Sequence, residues 1–187
     1  ILTLNIISIK SSIFYFRFGL FAIFASFIIN NNQNIFKNLL YIFLIIYSLL
    51  FIDTVYQYFF HKNIFGYVHD YGFNFRITSF FGDDEVLGSY TARFFPLLIF
   101  LIMYNSNADL SKKFKFMITM AIVIAFTIVL LSGERTSIGL FILSFLFIFF
   151  SSANFRKIFF IPLLIIIIVF ASVISLSEKV KNRVITQ

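Results

Sequence analysis

Residues 114–131 read FKFMITMAIVIAFTIVLL, residues 132–135 read SGER, and residues 136–152 read TSIGLFILSFLFIFFSS. Two long apolar runs flank a short charged turn, and the first run holds one charge, Lys115. Each run approaches the ~20 apolar residues (range about 17–25) that cross the hydrocarbon core of a bilayer. Neither run alternates with the period of a strand, and neither keeps the polar stripe of a helix packed on a soluble core. Lipid offers no partner for an open backbone, so a spanning segment of this length is a helix. The pair therefore predicts a transmembrane helical hairpin.

Working outward, the same signature recurs. Candidate spans fall at 13–29, 35–52, 86–104, 114–131, 136–152 and 158–176. The fold class expected is all-α: a polytopic transmembrane bundle of about six spans, forming one membrane domain over 1–187. Composition agrees. The chain is 60% hydrophobic and 12% charged with a mean hydropathy of +0.98. Soluble domains average about 45–50% apolar and about 25% charged. Disorder requires the opposite balance. The chain has no cysteine, which excludes disulfides, thiolate metal sites and cysteine nucleophiles. The 31 phenylalanines are read as compositional bias, not as a cofactor box. The chain opens on Ile1 without a basic n-region or a small-residue cleavage site, and is read as an internal piece of a longer protein with no signal peptide.

Lysine and arginine in short loops set orientation. Lys37, then Lys112, Lys113 and Lys115, then Arg156 and Lys157 fall in alternate connections, which are expected in the cytoplasm. The long connection 53–85 then faces outward. It carries Asp53, Asp70, Asp83, Asp84 and Glu85 against Lys62 and Arg76. Its many aromatic residues place it in the membrane interface instead of free water. The Ser132–Arg135 turn faces the same side, and so does the basic tail with Lys179, Lys181 and Arg183, which departs from the positive-inside rule.

Chemistry concentrates in two places. The first is Arg76–Tyr90, followed by Arg93 and Pro96, at the mouth of a span. Gly82 and Gly88 permit close backbone approach or unusual dihedrals. Asp83, Asp84 and Glu85 suit the positive end of a helix dipole, and Asp83 or Asp84 is a candidate cap. Arg93 lies about two turns into its span. An arginine there is expected to face the bundle interior or an aqueous cavity, or to pair structurally with Glu85 or Glu134. The second place is Ser132–Ser137. Arg135 offers a bidentate fork for phosphate, with Thr136, Ser137 and the amides of a new helix as further donors. The plainer alternative is that Glu134 and Arg135 pair to end the hairpin. His61 and His69 match no metal spacing. His69, beside Asp70, is a candidate general base, and Glu134 is a second candidate catalytic group.

At these motifs the sequence resembles the O-antigen ligase and O-antigen polymerase superfamily of bacterial envelope polysaccharide enzymes. Asp53–Tyr58 with Asn63–Tyr67 looks like the start of the family's outer loop. Arg76–Asp83, Gly88–Tyr90 and Arg93–Pro96 look like its next block. Leu131–Ser137 looks like the turn opening the ligase-type domain. The resemblance covers about residues 53–140. It implies a metal-independent glycosyltransferase, without a cofactor, in the bacterial inner (cytoplasmic) membrane, with its active site on the periplasmic face. Its donor would be an undecaprenyl-pyrophosphate-linked glycan, and its acceptor lipid A-core or another lipid-linked glycan. No nucleic acid is expected. Outward-facing arginines hold the pyrophosphate in the family: Arg135 matches the turn arginine, Arg93 and Arg76 are further candidates, and Arg183 falls near the basic approach to a later large loop. The family's proposed histidine base would lie beyond Gln187. Two other classes remain open: a polyprenyl-monophosphate-sugar transferase using Asp83–Glu85, and a lipid-linked oligosaccharide flippase or other transporter. A structural membrane subunit without chemistry is the third alternative.

Overall fold

In a computed structural model, residues 6–32, 34–68, 76–105, 111–151 and 153–176 are described. They form six α-helices and no strand: α1 (Ile6–Asn31), α2 (Ile35–Phe60), α3 (Leu87–Asn105), α4 (Lys112–Ser132), α5 (Arg135–Ser151) and α6 (Ala153–Leu176), with a single 3-10 turn over Ser79–Phe81. The fold is all-α, as expected. Three helices, α2, α3 and α4, are long and apolar enough to cross a membrane. The helix α5 and the apolar parts Phe16–Asn31 and Ile158–Ile168 are shorter. The expected count of about six spans thus meets six helices, of which three reach spanning length.

The chain divides into two compact units, Ile1–Leu39 and Leu40–Gln187. The first holds α1, whose Phe16, Phe18, Phe21 and Phe24 are exposed. In the second, α3 is packed against α4 and α5, and α6 against α4 and α5. Buried Gly88 and Ala92 on α3, and Ala121 and Ala125 on α4, let backbones approach closely, as membrane helices require where no hydrophobic gain drives them together. Phenylalanines fill the space between: Phe95 lies 4.4 Å from Phe141, and Phe141 5.6 Å from Phe126, between ring centres. The outward faces are just as apolar, with Phe147 75% exposed. Soluble monomers do not display apolar surface on this scale, so these faces fit a lipid surround.

Helix ends follow local chemistry. Ser111 caps α4, accepting from the Phe114 amide at 3.3 Å. Gly133 ends α4 in the left-handed conformation (φ 70°), returning its amide to the Leu130 carbonyl at 3.3 Å. The chain then re-enters a helix at once. The second span proves longer than the apolar run: α2 continues to Phe60, so Asp53 and Gln57 are buried helix residues and not loop residues. The loop that follows bonds both oxygens of Asp53 and the Oε1 of Gln57.

Connectivity puts the end of α2, the start of α3 and the α4–α5 turn at one end of the second unit. Lys112, Lys113 and Lys115 start α4 at the opposite end. Closeness at the first end is tight. A Cβ built on Gly88 would lie 2.3 Å from Ser132 Oγ and 3.1 Å from Glu134 Oε1. Gly88→Ala must rotate the Ser132 hydroxyl away from the Val129 carbonyl, which it meets at 2.8 Å, and crowd the carboxylate. The expected cost is about 1–3 kcal/mol, the range for overpacking a filled core, read as a lower midpoint of thermal unfolding in detergent.

Candidate functional site

The two polar motifs meet through Glu134. This side chain, 9% exposed, occupies the junction between α4 and α5 and reaches across to the start of α3. Its Oε1 accepts from the Gly88 amide at 2.8 Å, and its Oε2 from the Ser89 amide at 3.1 Å and the Ser137 hydroxyl at 2.5 Å. The first amides of a helix have no partner within it, and the dipole there favours a negative group. Glu134 fills that role for α3 from 45 residues away in sequence. It also stands at the head of α5, where its carbonyl accepts from the Ile138 amide at 3.2 Å.

This arrangement revises two expectations. The cap on α3 is Glu134, not Asp83 or Asp84. Those acids precede the helix and are turned into the loop: Asp83 accepts from the Tyr67 hydroxyl, and Asp84 enters a backbone turn, its amide meeting the Phe81 carbonyl at 3.2 Å. Glu85 pairs with Arg76 Nη1. Arg76 therefore closes the loop on itself. Glu134 does more than finish a hairpin, because its oxygens reach the amides at the start of α3 and the Ser137 hydroxyl.

Arg93 is exposed, and it lies on a stripe with Leu97, Phe100 and Tyr104. The opposite stripe, Gly88, Ala92, Phe95, Ile99 and Ile102, is the one that packs. Arg93 thus belongs to the open face of α3 and not to the bundle interior, one of the two settings expected for it. Neither Glu85 nor Glu134, its expected partners, is available to it. Six residues beyond Leu87 place its Cα about 9 Å along the helix at about 1.5 Å per residue. Helical side chains lean toward the helix N-terminus, so its long side chain reaches back toward the polar end. Arg135 and Thr136 are exposed at the first turn of α5. His69 and Arg183 lie outside the described residues, as do Asp70 and the tail lysines.

A second latch was not anticipated as such. Asp53 Oδ1 accepts from the Ile64 amide at 2.7 Å, and Oδ2 from the Ser79 hydroxyl at 2.6 Å. Gln57 Oε1 accepts from the Ser79 amide at 2.7 Å. Asn63 Nδ2 reaches the Ser79 carbonyl at 3.4 Å, and Asn63 Oδ1 accepts from the Tyr67 amide at 2.8 Å. Ser79 sits at φ 52°, a conformation that L-residues avoid and that the surrounding structure must hold. All three of its polar groups are bound by Asp53, Gln57 and Asn63. The sequence signal was available: Asp53, Gln57 and Asn63 interrupt an otherwise apolar run, and Asp53 and Gln57 share one helix face at i, i+4.

Among the described residues, no group of three or more histidines or acids could hold a metal ion. A mostly apolar groove of about 340 Å³ is lined by Leu44, Tyr47, Leu98, Met117, Met120 and Ile124, with Lys113 at its edge. No protein-family model, curated protein or solved structure matches the chain.

Removing the Glu134 carboxylate leaves the buried Gly88 amide without an acceptor, at about 1–3 kcal/mol. Glu134→Ala should therefore unfold at lower temperature in detergent, whereas Glu134→Gln keeps one acceptor oxygen and should lose less. The Tyr67 contact has its own pH signature. Its hydrogen bond to Asp83 raises the phenol above its ordinary value. The bond is intact below the unfolded value of about 10 and is lost as pH rises through the higher folded value. Spectroscopic titration should show a late-ionising phenol that Tyr67→Phe removes.

Proposed function

We propose that this protein transfers a glycan on the extracytoplasmic face of a bacterial inner membrane, from an undecaprenyl-pyrophosphate-linked donor, in the manner of O-antigen ligases and polymerases. The observation that carries this reading is the bridge from Glu134 to the Gly88 and Ser89 amides. It gathers at one end of the bundle the two segments whose motifs resemble that superfamily. Arg135 is exposed beside the bridge, and Arg93 lies on the adjoining open face of α3.

In this reading Arg135 and Arg93 receive the lipid-borne pyrophosphate at the headgroup level. An acceptor hydroxyl attacks the anomeric carbon of the donor glycan, the bond from that carbon to the pyrophosphate oxygen breaks, and the hydroxyl proton passes to a base. Charge grows on the departing pyrophosphate. Positioned guanidinium groups stabilise that charge in a site of low dielectric constant. A planar fork suits the two phosphates better than a point charge. Glu134 serves as a positioning residue, because its oxygens are engaged with the protein. Arg76 acts at one remove, by closing the loop through Glu85. His69 remains a candidate base, and Arg183 a further basic contact from the tail.

A cell lacking its own ligase and polymerase, supplied with the full-length protein, tests this. Gel analysis of surface glycans should show a restored ladder for a polymerase, or single repeats on lipid A-core for a ligase. Arg135→Ala should abolish either product while lipid-linked intermediates accumulate. Arg135→Lys should lose at least about tenfold, or ~1.4 kcal/mol of transition-state stabilisation. Unchanged glycans in Arg135→Ala, with the protein present in the membrane, would exclude the pyrophosphate role. Inhibition by chelators would instead favour a polyprenyl-monophosphate-sugar transferase using Asp83–Glu85.

A further inference from the structure

The described arms of the loop joining α2 to α3, residues 61–68 and 76–86, are tied back to α2 at Ile64 and Ser79. The helix α2 has 26 residues, about 39 Å at about 1.5 Å per residue, against a hydrocarbon core of about 30 Å. The excess over an upright span is assigned to the end that carries Asp53 and Gln57 and leads into His61 and Lys62, polar groups suited to the headgroup layer. Asp53 lies seven residues before the end of α2, about 10 Å back along it. The Ile64 amide is held by that carboxylate at 2.7 Å, and Ser79 by the same side chain at 2.6 Å. Both ends of the loop are thus drawn back along the helix to the level where hydrocarbon meets headgroups.

At that level the loop presents apolar side chains to its surroundings. Phe65 is 82% exposed, and Ile64, Val68 and Phe80 are exposed beside it. The Phe65 and Phe80 rings meet at 5.4 Å, joining the two arms of the loop into one patch. The polar contact between Tyr67 and Asp83 ties the same two arms. In water such a patch would be costly. At the boundary of an acyl layer, aromatic and branched side chains are stabilised by burial, at about 25 cal/mol per Å².

We propose that these two arms form a membrane-inserted plate: Ile64, Phe65, Val68 and Phe80 seat in the acyl–headgroup boundary of the leaflet at the polar end, anchored from beneath by Asp53. The occupant is the bilayer itself. The proposal rests on the membrane reading of the helices and not on glycan transfer.

The chain contains no tryptophan, so one introduced residue is an unambiguous reporter. Phe65→Trp and, separately, Val68→Trp are placed in the full chain in phosphatidylcholine vesicles. Leu143→Trp, exposed midway along α5, reports acyl depth. Lipids brominated at different acyl carbons then quench each reporter by depth. Phe65→Trp and Val68→Trp should emit at short wavelength, lose most of their emission to bromines near the headgroup, and resist aqueous iodide. Leu143→Trp should respond to deeper bromines. Long-wavelength emission with strong iodide quenching would overturn the proposal by placing the loop in water. Short-wavelength emission untouched by any brominated lipid would overturn it too, because protein and not lipid would then cover the patch. Failure of Leu143→Trp to respond at any depth would instead remove the membrane reading on which the proposal stands.

Discussion

Everything at the polar end of this bundle depends on one carboxylate placed between two helix starts. A membrane helix that begins near the hydrocarbon edge has amides it cannot satisfy within itself, and lipid supplies no acceptor. For α3 the acceptor is Glu134, delivered by the four-residue turn between α4 and α5. Three features make that delivery possible. Gly133 reverses the chain without steric penalty. Gly88 leaves room for the carboxylate and for Ser132, and Ser137 holds the second oxygen. A side chain at position 88, or a shorter acid at 134, would open the junction.

The Asp53 latch solves the same problem for the loop. Buried polar groups in the α2 helix would be costly alone. Here they are the acceptors for a strained serine and for the backbone that follows. The helix supplies acceptors to loop donors, although Gln57 Nε2 and Thr78 Oγ1 stay buried without a partner among the described residues. The two networks share a logic, in which acids are spent on backbone amides. Beside the junction two arginines stay exposed, Arg135 at the head of α5 and Arg93 on the open face of α3, with Asp83 and Asp84 exposed in the loop before α3. Exposed guanidinium groups at a headgroup layer are suited to a phosphate-bearing lipid, which is the chemistry we propose.

Much of this was legible in the sequence, and the exceptions have physical causes. Apolar runs located all six helices, because the period and length of such runs reflect the solvent directly. The end of α2 was misplaced by eight residues, since Asp53 and Gln57 look like loop residues until the loop that binds them is folded back. The polar motifs were recognised, but their partners were not. Asp83 and Asp84 stand beside the start of α3 in sequence, yet the cap comes from Glu134, and only packing reveals that the two motifs adjoin. Arg93 was expected inside the bundle or in an aqueous cavity because a charge in a span is costly; it is not inside, since its helix offers its buried stripe to small and aromatic residues, and arginine is long enough to reach back to the interface.

Hydrogen exchange at the start of α3, measured by mass spectrometry on the full chain and on Glu134→Ala, tests this account most directly. Loss of the carboxylate should free the Gly88 and Ser89 amides, so that peptides covering 86–90 exchange at rates approaching an open helix end while those covering 98–102 stay protected. Unchanged protection at 86–90 would contradict the account, because the junction would then be held by something other than Glu134.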